Sequence, residues 1–241
     1  EAISRKRNTG VQCAISGWLP CKRLAVLSPL PPSRSGIADY NAQFLPFLAR
    51  HFEIDLYVEG YIVSDETLTS SFRIFDVKDF EPVATAYDLI LYEFGNSEFH
   101  AHMLPLLEQF PGAVGLHDAY LSGLIGYMDF YAGNKGYYEQ EMLAAHGTSA
   151  RQYFAPIQAC PDPIGKSMVN LPCTKAVLDK AIGVISHSPF NLQVARLHYP
   201  QGWLAPYRTI PQMVILPEQT TVAERQGIRT ELGFQPEDFV L

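Results

Sequence analysis

Four short stretches carry the side chains best suited to holding a hydroxylic or anionic ligand: Ser35-Gly36-Ile37-Ala38-Asp39-Tyr40, Gly95-Asn96-Ser97-Glu98-Phe99-His100, His117-Asp118 and His187-Ser188. A neutral imidazole donates a hydrogen bond at one nitrogen and accepts at the other, so His117 can orient a substrate hydroxyl without relaying a proton. Asp118 can bind a hydroxyl or act as its base, but it fits best as the cap of a following helix. Asp39 has the same ambiguity, and beside a phosphate its carboxylate would repel unless it contacts the acceptor instead. Asn96 and Ser97 are hydroxyl ligands and also cap formers, whereas His187 and Ser188 fit a structural role best. His100 and His102 are two apart and diverge on a helix, which removes them as a zinc pair.

These stretches gain meaning from the elements that end at them. Residues 24–27 are a short continuous apolar run, as in a strand covered on both faces. A loop with Pro29, Pro31 and Pro32 follows. Ile37, Tyr40, Phe44, Phe47 and Leu48 then form one helical stripe, with Ser35 as N-cap and Gly36 in the first turn. Backbone N–H groups at such a helix start can hold an anion, although Gly36 could simply permit a tight turn. Further strands are expected at 53–58, 73–77, 88–92, 113–117 and 181–186, with a last one inside 208–216 and best placed at 212–216. Helices are expected on the Phe99, Met103, Leu106, Leu107, Phe110 stripe, from Pro172 with Val177, Leu178 and Ala181 inward, and from the Ser188-Pro189 start. Pro46 and Pro105 fall inside helical patterns, where each should kink the helix or cost a hydrogen bond. The Tyr-rich segment 126–166 reads as irregular helices. Thr221 and Glu224 form a capping box, and Gly233 closes that helix. Strands alternating with helices predict an α/β fold: a Rossmann-like, three-layer parallel sheet with helices on both faces. Right-handed crossovers then bring the four stretches to one rim, where such sheets bind ligands.

The chain has 241 residues and a formal net charge of −7. That balance argues against a nucleic-acid binder, since phosphate contacts need clustered Lys and Arg. The basic cluster Arg5-Lys6-Arg7, with Lys22 and Arg23 nearby, precedes the first strand. Cys13, Cys21, Cys160 and Cys173 show no metal-ligand spacing and read as reduced thiols of a cytoplasmic protein. No apolar run is long enough to span a membrane. Phosphate-binding, dinucleotide-binding and serine-hydrolase motifs are all missing, and no metal is expected.

The residues 24–40 and the three later stretches resemble the N-terminal domain of family 4 ("group 1") retaining glycosyltransferases of GT-B fold. The matching residues are Ser35 to Tyr40, Gly95-Asn96-Ser97 with His100, His117-Asp118 with the continuation Tyr120-Leu121-Ser122-Gly123-Leu124, and His187-Ser188. The first loop lacks the second adjacent glycine that many members carry. The resemblance covers residues 24–241. It implies that Gly36 approaches the donor's phosphate or sugar, and that His117 lies beside the transferred sugar as the catalytic residue. Ser35, Asp39, Tyr40, Asn96, Ser97, His100, Asp118, His187 and Ser188 are the expected substrate contacts. It further implies a nucleotide diphosphate-sugar donor, a glycan or lipid-linked glycan acceptor, no cofactor and no metal. A lipid-linked acceptor would bring the protein to the inner face of a membrane. Residues 1–23 would be a linker or tail from an upstream region, 24–217 the acceptor-side domain, and 218–241 an interdomain helix leading into a C-terminal domain that holds the nucleotide. Residues 121–131 and Tyr137-Tyr138 are expected to border the acceptor cleft. A non-catalytic Rossmann-like module and half of a GT-B sugar-nucleotide epimerase remain as alternatives.

Overall fold

The computed structural model describes residues 21–154, 163–215, 220–235 and 237–239. Most of the expected N-terminal tail, including Arg5-Lys6-Arg7 and Cys13, lies outside the described residues, as do Cys160, Leu216, Pro236, Val240 and Leu241. The described residues form a seven-stranded sheet in the order β3-β2-β1-β4-β5-β6-β7. Its strands are β1 (Lys22–Leu27), β2 (Phe52–Val58), β3 (Arg73–Asp76), β4 (Leu89–Phe94), β5 (Ala113–Leu116), β6 (Gly183–Ser186) and β7 (Tyr207–Thr209). Every neighbouring pair is parallel.

The helices are α1 (Gly36–Leu48), α2 (Glu66–Ser71), α3 (Met103–Gln109), α4 (Ser122–Phe130), α5 (Tyr137–His146), α6 (Thr148–Phe154), α7 (Pro163–Asn170), α8 (Lys175–Leu178), α9 (Pro189–His198) and α10 (Val222–Glu231). Their placement follows from strand order. The chain first steps from β1 outward to β3, then returns to β4 and steps the other way to β7. Right-handed crossovers taken in opposite directions put helices on opposite faces. Alternate residues of β1 accordingly enter two cores. Leu24 and Val26 meet α1 and α2 through Leu45 and Leu68. Ala25 and Leu27 share the larger core with Met103, Leu124, Met142, Val177 and Ala195 of the helices after β4. The direction reverses between β1 and β4, so their C-terminal ends flank a crevice.

Three expectations need correction. The last strand, β7, overlaps the start of the expected 208–216 stretch and does not lie at 212–216. Ile210 N–H still donates to Ser186 O, but Pro211 has no N–H and ends the ladder. The helix after Leu171 is short, because Cys173 takes a left-handed φ of 52° before α8 begins. The Tyr-rich segment, where described, forms the regular helices α4 to α7, with Tyr138, Met142 and Ala150 buried in the core. Pro46 does lie inside α1. The capping box at Thr221 and Glu224 is present at α10, which buries none of its residues. Among the described residues no helix is long and apolar enough to cross a membrane.

One buried charge serves the sheet rather than its rim. Asp55 of β2 is 2% exposed. It accepts hydrogen bonds from Arg73 Nε at 2.6 Å, Tyr87 OH at 2.7 Å and Arg23 Nη2 at 3.3 Å. Removing the carboxylate leaves three donors without an acceptor. Asp55→Ala should therefore lower the urea-unfolding free energy by about 2–4 kcal/mol, with Asp55→Asn intermediate. An Asp55→Ala protein as stable as the native one would show that the cluster contributes no net stability.

Candidate functional site

The loop after β1 is tied to the helix that follows it. Asn41 Nδ2 of α1 donates to Ser28 Oγ at 2.8 Å, and Ser28 Oγ donates to Pro29 O at 2.7 Å. Ser35 caps α1, its Oγ accepting from Ile37 N–H at 3.2 Å. The Ser35 carbonyl takes the N–H groups of Ala38 and Asp39. The Gly36 N–H takes no acceptor among the described residues, so it is a free donor at a helix start. Gly36 does not need glycine's conformational freedom, since its φ is not positive, and a Cβ there would meet nothing within 4 Å. The tight-turn reading of Gly36 is therefore set aside, and open space is what its missing side chain leaves.

The second and third loops are locked to each other. Asp118 was expected to cap the helix after it; instead its Oδ2 accepts from Asn96 N–H at 2.8 Å. Asn96 does the capping, because its Oδ1 accepts from Leu124 N–H in the first turn of α4 at 3.0 Å. Gly95 is where the loops converge: a Cβ there would lie 2.5 Å from Ile37 Cδ1 and 2.9 Å from His100 Nε2. The fourth loop joins through α9, which Ser188 caps. Asn191 Nδ2 of that helix donates to the carbonyls of Leu116 at 3.1 Å and His117 at 3.3 Å.

His117 stands at the centre of this arrangement. Its Nε2 lies 2.6 Å from Glu93 Oε2, and the two side chains are 10% and 4% exposed. With the carboxylate ionised and the ring neutral, Nε2 carries the proton and Nδ1 is left as the ring's acceptor. Glu93 of β4 is the register partner of Gly115 in β5. A Cβ on Gly115 would run into the Glu93 carboxylate, so glycine is what gives the carboxylate room. Two more rings enclose the imidazole. Tyr40 lies edge-on to His117 at 5.4 Å and tilted against His187 at 5.0 Å, and the two histidine rings are 4.8 Å apart. Burial, and then the charge of Glu93, push the Tyr40 hydroxyl up to about 12. His187 Nδ1–H donates to Ile210 O at 3.0 Å, which leaves its Nε2 as an acceptor.

His100 lies beneath the second loop. Its Nδ1–H donates to Glu93 O at 2.8 Å, while its Nε2 is buried with no partner among the described residues. Burial holds its pKa down to about 4.

Together these loops line one open cleft of about 420 Å³, within the usual range for small-ligand sites. Ser35, Gly36, Asn96, Ser97, His100, His117, Asp118 and His187 all border it. Tyr40 supports the histidines from behind without lining it. Asp39 is exposed on the first turn of α1 and Ser188 is occupied as a cap, and neither borders the cleft. Residues 121–131 and Tyr137-Tyr138 do not line it either. Leu121, Leu124, Ile125 and Tyr138 are core residues, and Tyr138 OH bonds Ser167 Oγ at 2.7 Å. Sequence reasoning missed Glu93, Gly115, Asn191 and Gln212, the last of which borders the cleft. The signal for Glu93 was available: a carboxylate within the apolar strand Leu-Ile-Leu-Tyr-Glu-Phe.

The lining includes no Lys or Arg, so an anion there would rely on backbone N–H groups such as that of Gly36. Among the described residues no group of three His, Cys, Asp or Glu is placed to hold a metal ion. The cleft offers acceptors at His117 Nδ1 and Asp118, the combination that holds ligand hydroxyls in place. The chain matches no model of a known protein family and no curated protein.

The buried histidines set a pH dependence of stability. His100 and His146 are both held down to about 4 by burial. Between that value and the ordinary imidazole range the unfolded chain binds protons that the folded chain does not, so stability falls as pH is lowered. Urea midpoints measured from pH 7 to pH 4.5 should drop steadily. His100→Gln should drop less steeply, because it removes one of the histidines whose pKa burial lowers. An equally steep fall in that variant would contradict a neutral, buried His100.

Proposed function

We propose that this chain is the acceptor-side, Rossmann-like domain of a retaining glycosyltransferase of GT-B type. In this reading the longer protein transfers a hexose or related sugar from a nucleotide diphosphate donor to a glycan or lipid-linked glycan. A C-terminal domain supplies the nucleotide site, and this chain alone does not turn over. It would act in the cytoplasm, at the inner membrane face where the acceptor is lipid-linked.

The observation that carries the proposal is convergence. Four stretches far apart in sequence, each resembling the same family in the same order, border one cleft at the strand C-terminal rim. The cleft lies beside the β1–β4 reversal, where open α/β sheets bind ligands. The free Gly36 N–H suits a donor phosphate. His117 then has its Nδ1 available to a sugar hydroxyl, with its ring held by Glu93. Such a contact matters most as positive charge builds at the anomeric carbon, so its effect belongs in turnover more than in ground-state affinity.

The test uses the full-length protein. His117→Ala should lower turnover about a hundredfold, the scale of one lost transition-state contact, with nucleotide affinity nearly unchanged. Glu93→Gln should cost about tenfold through misorientation of the ring. Lost nucleotide affinity with retained turnover, or a protein that fails to fold, would return His117 to the role of a core histidine. Failure to transfer from any sugar nucleotide would favour a non-catalytic binding module.

A further inference from the structure

A second pocket, of about 270 Å³, shares two walls with the cleft. The loop after β1 gives Ser33 to this pocket and Ser35 to the cleft. The turn after β4 gives Phe99 and His102 to this pocket, and Ser97 and His100 to the cleft. Pro29, Pro32, Tyr61 and Phe99 supply apolar surface, and Glu59 supplies a carboxylate. Tyr61 is held rigidly, since its OH donates to Leu30 O at 3.0 Å and accepts from Leu30 N–H at 2.7 Å.

The polar groups here are unfinished. The His102 side chain is only 10% exposed, and its Nδ1 lies 3.2 Å from Glu59 Oε2. That contact pairs the ring with the carboxylate, and the hydrogen bond from His102 holds the Glu59 carboxyl below its usual range, whereas His102 Nε2 is buried with no partner among the described residues. Ser33 Oγ is also buried and unpartnered. Buried polar groups left this way are costly, and they mark places that a ligand or water completes.

We propose that this pocket binds one neutral pyranose ring, as a saccharide subsite beside the cleft. A wholly apolar ligand would leave Ser33 Oγ and His102 Nε2 unpaired. An anion would face Glu59, and no Lys or Arg lines the pocket to offset it. Sugar hydroxyls both donate and accept, so they satisfy both Ser33 Oγ and His102 Nε2. The rings of Tyr61 and Phe99 and the two prolines offer a surface to the C–H face of a sugar. The inference rests on the transfer reading and deepens it: the subsite would hold an acceptor sugar next to the reacting position.

The test is amide NMR of the chain titrated with methyl glucoside, methyl mannoside and methyl galactoside, with tetramethylammonium and inorganic phosphate as controls. At least one glycoside should shift Ser33, Phe99 and His102, and neither control should. Phe99→Ala should weaken that binding about tenfold, and Glu59→Gln about threefold. Glu59 is exposed, so its variant decides the matter if Phe99→Ala does not fold. The proposal is overturned if no glycoside shifts these residues, if tetramethylammonium does so instead, or if the variants bind as well as the native chain. The two readings fail separately. Glycoside binding here, with full transfer in His117→Ala, would keep the subsite and remove the transfer role of His117. Loss of the subsite with an intact His117 requirement would do the reverse.

Discussion

The contact on which the site depends is the 2.6 Å hydrogen bond between Glu93 and His117. It joins neighbouring strands of the sheet and is almost wholly shielded from solvent. A carboxylate in that position must have both space and a donor. Gly115 gives the space and His117 the donor. In return the ring plane of the imidazole is fixed, and as a neutral ring bonded through Nε2 it keeps Nδ1 as an acceptor. Glu93 also organises the second loop, since its backbone carbonyl receives His100 Nδ1–H. One residue of β4 thus orients two histidines, one through its side chain and one through its main chain.

The surrounding bonds make the loops act as a unit. Asp118 holds the Asn96 backbone, Asn96 caps α4, and Asn191 reaches from α9 to the carbonyls on either side of the β5 end. Each is a polar side chain satisfying backbone groups that a strand end or helix start leaves without partners. The cost of unpaired backbone therefore works in favour of a preformed cleft. The parallel sheet supplies the frame, because all strand ends face one way and the reversal between β1 and β4 separates two of the loops.

Much of this was legible in the chain itself. The apolar runs of β1, β4, β5 and β6 lie where periodicity places them, and Ser35, Ser188 and the Thr221–Glu224 box cap as local chemistry predicts. Local rules failed where a partner is distant in sequence. Asp118 looked like the cap of the next helix, but Asn96, some two dozen residues upstream, occupies that role. Glu93 could be noticed as a charge in an apolar strand. Its pairing with His117 depends on the β4–β5 register, which no single stretch encodes. Tyr138 looked like a cleft residue because it is aromatic and follows the His117 loop. It is buried because Ser167 of α7 satisfies its hydroxyl and the core takes its ring.

The central claim, that Glu93 fixes the tautomer of His117, can be read directly from the ring. Nitrogen-15 NMR of the imidazole distinguishes a protonated from an unprotonated ring nitrogen. In the native chain the neutral ring should carry its proton on Nε2 and leave Nδ1 bare, and Glu93→Gln should disturb that pattern. A native His117 protonated on Nδ1, or averaging between tautomers as a solvated imidazole does, would contradict the account.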